Sequence, residues 1–288
     1  VRINPVLKNE TKLAVRSFKF TLVIFFYVVL LSAGALFIFN VNVSNAYFNG
    51  INLQYIISFY FGLAIIQAML LMFIVPSLTA TAICSEREKQ TLEVLLSTKM
   101  TTFSIVSGKL MASISRVVIL IICTMPIYSI AFLIGGISLE NILQLSLFFI
   151  VTTIFVGSIG VFISTFIKTS RAATAITYGV TLFIYVGIVI ISYIIVMINM
   201  SKAIYPQDVT APLFSYLSPT TGFISLLSSQ LGSESELYYV RFINVPGFEH
   251  GYLISMGVQL VISALLVFIA AYKLNPVNRG MKYILRRK

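Results

Sequence analysis

The stretch Ser85–Met100, SEREKQTLEVLLSTKM, gathers six charged side chains: Glu86, Arg87, Glu88, Lys89, Glu93 and Lys99. The chain around it is only 10% charged. Carboxylates and cations this close could hold a metal, move protons or grip a partner. Metal binding lacks further donors, because Cys84 and Cys123 share no ligand spacing and His250 is a lone histidine. The two cysteines read as small buried hydrophobes. A Ser-His-Asp set cannot be built around that one histidine. A phosphate loop needs Gly-x-x-x-x-Gly-Lys-Ser/Thr. The Gly108-Lys109 pair has Phe103 where the first glycine belongs, and Leu110 follows it. The residues therefore point to recognition, with no catalytic set and no cofactor in this chain.

The elements that would position this cluster are apolar. The 288 residues are 58% hydrophobic, against roughly 45–50% in soluble domains. Six apolar segments, about 20–40, 55–83, 103–135, 141–167, 172–198 and 252–272, have the length that a roughly 30 Å hydrocarbon layer demands of helices. They are apolar all round and do not alternate as barrel strands would. The expected fold is an all-α polytopic membrane protein with six transmembrane helices in one domain, 1–288. The charged start before the first segment is unlike a secretory signal.

Charge sets the expected orientation. Of 20 basic residues, only Lys202 and Arg241 fall on one set of flanks, together with Glu140, Asp208, Glu234, Glu236 and Glu249. The rest fall on the other set, which the positive-inside rule makes cytoplasmic along with both termini. The net charge of +11 is then a topology signal and implies no nucleic acid. Near the N-terminus, Asn4 and Pro5 suit a helix start. Lys8, Lys12, Arg16 and Lys19 recur at helical spacing. That basic stripe predicts an interfacial helix over 1–19, lying against anionic lipid head groups. The opposite flank holds one sizeable segment, 199–251, expected to be extracellular. Its apolar stretch 221–231 is too short to span and reads as a re-entrant or interfacial helix.

Within 85–100, Ser85 and Glu88 have capping-box spacing. Glu86 with Lys89, and Lys89 with Glu93, are spaced for pairing along a helix. Leu92, Leu95 and Leu96 fall on the other side, so the segment predicts one amphipathic helix with a mixed-charge face suited to a protein partner. Arg116 is the main ionisable residue placed inside a segment. Gln67 and Gln144 are the glutamines singled out there. Gly157, Gly160 and Ser164 form a small-residue face that permits close helix packing, and Pro126 predicts a bend.

Glu86, Arg87, Glu88, Thr91, Leu92, Glu93, Leu95, Leu96 and Thr98, followed by Gly108-Lys109-Leu110 and preceded by the opening NPVLKNE, carry a resemblance over the whole chain. It resembles the permease subunit of type-two ATP-binding cassette (ABC) exporters. Lys99 and Thr102 stand where that family has prolines. The resemblance implies that 85–100 is a coupling helix docked on a separate ATPase subunit. Glu86, Arg87, Glu88, Thr91, Leu92, Glu93 and Leu95 would be its contacts there, the three glutamates polar and Leu92 and Leu95 by packing. ATP and Mg would sit on that partner. It further implies two ATPase subunits, a second permease copy or homologue, and a bacterial cell membrane as the location. A stand-alone channel or secondary carrier, or an ABC-linked scaffold or sensor without cargo, are the other readings.

Overall fold

The computed structural model describes residues 17–49, 53–97, 100–133, 137–202, 212–231 and 251–275. They are helical almost throughout, without a strand among them. In chain order the helices are α1 (Phe18–Asn49), α2 (Leu53–Thr79), α3 (Cys84–Glu88), α4 (Leu92–Leu96), α5 (Thr102–Leu133), α6 (Leu139–Phe166) and α7 (Ser170–Leu182). A π-turn, Phe183–Gly187, joins α7 to α8 (Ile188–Lys202). A 3-10 turn, Leu213–Leu217, then precedes α9 (Pro219–Leu231) and α10 (Gly251–Leu274). Six runs are long and apolar enough to cross a membrane: Phe20–Val41, Ile57–Glu88, Thr102–Leu133, Leu139–Phe166, Ser170–Asn199 and Gly251–Leu274. The chain is a polytopic all-α membrane protein with spans one to six in that order. The expected interfacial helix, with Lys8, Lys12 and Arg16, falls outside the described residues, whereas Lys19 belongs to the first turn of α1.

Successive spans reverse direction, so α3, α4, the start of α5, the junction of α6 with α7 and the end of α10 share one face of the bundle. We call it the near face. The hub is α6, which packs on α10, α5, α2 and α7. Its buried side includes Phe148, Phe149, Phe155 and Val156, joined in the main core by Tyr27 and Leu31 of α1, Leu63 of α2 and Leu120 of α5. A second core lies at the near face, where Ile83 and Leu92 meet Val106, Leu110 and Ile114 of α5, Val161 of α6 and Leu274 of α10.

Small residues allow a close approach between α6 and the end of α2. A Cβ at Gly160 would stand 2.9 Å from Thr79 Cβ and 3.2 Å from the Ala80 nitrogen. At Gly157 it would come within 3.1 Å of Leu110. The face anticipated in the sequence is thus used inside one chain, between α6 and the end of α2. The stretch 221–231 belongs to α9, and it is more than a surface cover. Phe223, Leu226 and Leu227 are in the main core, and α9 packs on α10, α6 and the π-turn. At its far end Tyr60 Oη donates to Gln230 Oε1 (2.9 Å), while Gln230 Nε2 donates to the Asn141 carbonyl (3.0 Å).

Crowding at Gly160 and freedom at Gly179, where an added Cβ meets nothing within 4 Å, make a matched pair. Gly160→Ala is expected to cost about 1–3 kcal/mol by overpacking. Gly179→Ala is expected to be neutral or stabilising by up to about 1 kcal/mol. Thermal unfolding of the purified protein, followed by size-exclusion chromatography, measures both.

Candidate functional site: the near-face turns

After Thr79 the chain leaves the regular α2 helix, and the next donors need partners from elsewhere. Ser164 on α6 supplies one, because its hydroxyl oxygen accepts from the amides of Ile83 and Cys84, both at 2.9 Å. These are among the free N–H groups at the start of α3. The Ser164 hydroxyl in turn donates to Cys84 Sγ at 3.3 Å. A side chain from another span therefore caps α3, and no local side chain does so.

The helix ends after Glu88. Gln90 takes the left-handed conformation at φ 59°. Its amide donates to the Arg87 carbonyl (3.1 Å), and the Thr91 amide to the Glu86 carbonyl (2.9 Å). That pair of bonds is a Schellman motif, with glutamine at the position glycine usually takes. A second turn, α4, follows. The expected single helix over 85–100 is therefore two turns with a reversal between them. The reversal separates Lys89 from Glu93, so their i,i+4 spacing no longer places them on one face. At the exit, where Lys99 and Thr102 replace expected prolines, the Thr101 hydroxyl accepts from the Ser104 amide at 3.2 Å and starts α5.

The charged residues reach across the near face. Glu86 Oε1 pairs with Lys109 Nζ of α5 at 2.9 Å, and the lysine side chain is 6% exposed. The Thr91 hydroxyl donates to Glu86 Oε2. Arg87 donates to the carbonyls of Ile167 (2.8 Å) and Thr165 (3.1 Å), where α6 ends. Guanidinium charge at a helix C-terminus also suits the helix dipole. Glu88 accepts from the Ser170 amide (2.7 Å) and hydroxyl (2.5 Å), the first residue of α7. That carboxylate caps α7, whose preceding Thr169 offers no side-chain cap. The capping box expected between Ser85 and Glu88 is not formed, because Glu88 is engaged eighty-two residues away.

The leucine face also turns inward. Leu92 is 6% exposed and belongs to the near-face core. Leu95 is half-buried, while Lys89, Gln90, Glu93 and Ser97 are exposed. Val94 is 68% exposed. Sequence reading passes over Val94, although an apolar residue on the polar side of an amphipathic segment is the signal that marks it. Farther along α5, Arg116 donates to Ser113 Oγ at 3.0 Å, and Ser113 Oγ to the Leu78 carbonyl at 3.3 Å. It is thus held level with the end of α2.

Inside the bundle, Gln67 Nε2 donates to Thr124 at 3.2 Å, joining α2 to α5. Gln144 Oε1 accepts from Gln230 at 3.3 Å. Gln259, which sequence reading does not single out, is wholly buried. It accepts from Thr152 (3.3 Å) and donates to Ser255 (3.0 Å). A half-open cavity of about 470 Å3 lies at the bundle surface between α2, α6, the π-turn, the start of α8 and α9. Phe61, Ile65 and Met72, Phe149, Val186 and Val189, and Phe223 line it, so its wall is nearly all hydrocarbon and aromatic ring. The three threonine hydroxyls of its lining are committed: Thr152 to Gln259, Thr153 to the Phe149 carbonyl and Thr220 to the Tyr185 carbonyl. The volume falls in the range of ligand pockets, which bind mostly by apolar contact.

The Ser164 cap gives a direct test. Ser164→Ala leaves two buried amides without that acceptor, and about 1–3 kcal/mol is expected for each. Loss of thermal stability with faster proteolysis within 84–97 is the expected outcome. Ser164→Thr keeps the oxygen and is expected to preserve the protection of the segment.

The near face thus presents an amphipathic double turn fastened to four spans, and the apolar cavity lies farther along the bundle, toward its far end. No curated protein matches the chain in sequence. The family model described as ABC-2 family transporter protein matches residues 4–274. The chain therefore belongs to the ABC-2 transporter family, as a membrane-spanning permease subunit of an ABC transporter.

Proposed function

We propose that the chain is the permease of an ABC exporter driven by ATP hydrolysis on separate subunits that dock on the near-face turns. In this reading the near face is cytoplasmic. The observation that carries it is the division of labour within 84–97. Glu86, Arg87, Glu88 and Leu92 are tied to α5, α6 and α7 or to the near-face core, while Lys89, Gln90, Glu93 and Val94 stand free of the bundle surface. A segment that only joined two spans would have no use for so many tertiary ties. Stiff ties on one side and an exposed ridge on the other let a bound subunit bias the conformation of the spans. Nucleotide shifts a permease only through such differential contact.

The contacts assigned from the sequence are redistributed accordingly. Glu93 and Leu95 remain contacts for the ATPase, joined by Val94 and Gln90. Glu86, Arg87 and Glu88 act on the permease side of the joint. Two ATPases and two permease subunits complete the transporter. The export direction rests on the family resemblance alone, and the basic flanks bear on orientation. The apolar cavity supports a lipid-like or amphipathic cargo, whose hydrocarbon portion it would accept.

The test is co-purification. Val94→Asp and Glu93→Lys are expected to release the ATPase subunit by tenfold or more, with permease yield and thermal stability unchanged. Retention of the ATPase by the double variant at wild-type level refutes docking on this ridge.

A further inference from the structure

Span five is built in two halves. The near half, α7, packs on α6 and α2. The Tyr178 hydroxyl donates to the Phe73 carbonyl of α2 at 2.7 Å. The far half, α8, leans chiefly on the 3-10 turn. Between them the π-turn Phe183–Gly187 breaks the regular helical register, a feature often found at functional sites. The Tyr185 carbonyl there accepts from Thr220 Oγ1 (2.8 Å) and Ser218 Oγ (3.4 Å), at the start of α9. Tyr185, Val186, Val189 and Ile190 form one wall of the cavity.

Among the charged ties described from the turns, that of Glu88 reaches span five. Glu86 holds α5 and Arg87 holds the end of α6, elements packed into the cores. Glu88 holds Ser170, the first residue of α7, by both carboxylate oxygens. Glu88 is also exposed, so water competes for this tie more than for the half-buried ones. A helix N-terminus attracts a carboxylate through both its free amides and its dipole.

We propose that Glu88 is the positioning residue through which the near-face turns set the tilt of α7, and that span five bends at the π-turn to widen or narrow the cavity. The inference rests on the docking function proposed above and adds to it the route from docked subunit to cargo site. Movement of α3 carries Glu88, Glu88 carries the end of α7, and the anchored Tyr185 carbonyl keeps the middle of the span in place. The bend then falls at the π-turn beside the Tyr185 anchor, and Val186 and Val189 of the cavity wall follow directly after it.

The experiment uses the intact permease–ATPase complex in lipid nanodiscs. Spin labels go on Gly179→Cys and Ile191→Cys, one on each side of the π-turn, with Cys123→Ala; Cys84 is buried. Pulsed electron paramagnetic resonance compares nucleotide-free and ATP-bound complexes. A shift in the 179–191 distance on ATP binding is expected, lost in Glu88→Ala while the ATPase stays bound, and reduced in Ser170→Ala. Glu88→Gln, which keeps a neutral acceptor, retains part of the shift and serves if the alanine variant does not assemble. A shift that persists unchanged in both Glu88 variants overturns the role of Glu88. A fixed distance in the unmodified, ATP-bound complex overturns the bend. A permease that retains no ATPase at all overturns the docking reading itself, and is distinguished by the absence of the subunit.

Discussion

The contact on which the near face depends is the close approach of α6 to the end of α2. Two glycines remove the side chains that would keep the helices apart, and Ser164 stands next along the same face. Where water is excluded, backbone amides at a broken helix must find protein acceptors. The Ser164 hydroxyl provides one because Gly160 lets the backbones come together. This single joint fixes where α3 begins and which way it points. Its direction in turn carries Glu86, Arg87 and Glu88 over three different spans.

The rest of the bundle repeats the same device in weaker form. Apolar packing between helices gains little from hydrocarbon already surrounding them, so polar pins and small residues carry more of the specificity. Gln259 with Thr152 and Ser255 joins α10 to α6, and Gln67 with Thr124 joins α2 to α5. Tyr60, Gln230 and the Asn141 carbonyl hold the far end of α2, α9 and α6 together. Against this framework span five is the exception. Its register is interrupted at the π-turn, and its near half is pinned at Ser170 and Tyr178 and the π-turn at Tyr185.

The spans were legible because hydrophobic length is a local property of the sequence. So was the small-residue face, since Gly157, Gly160 and Ser164 recur at helical spacing. The turns at 84–96 were legible in kind and misread in detail. Ser85 and Glu88 have the spacing of a capping box, yet Glu88 finds a stronger partner in Ser170, and Ser164 caps the helix from another span. Neither partner is visible in a local pattern. Leu92 shows a related limit: an amphipathic stripe does not say which of two surfaces it meets, and in the folded chain it packs into the near-face core. The reversal at Gln90 was hidden because glutamine gives no sign of a left-handed turn.

That reversal has a consequence for association. Two main-chain bonds close it and hold Gln90 in a left-handed conformation that a residue with a Cβ adopts only at a cost. The ridge of Gln90, Glu93 and Val94 is therefore preorganised. Ordering a flexible loop on binding costs about 0.5–1.5 kcal/mol for each immobilised side chain. A ridge already set by its backbone avoids much of the backbone ordering cost as well. In the docking proposed above, affinity would then depend chiefly on the contacts made, and a small apolar residue such as Val94 would weigh more than its size suggests.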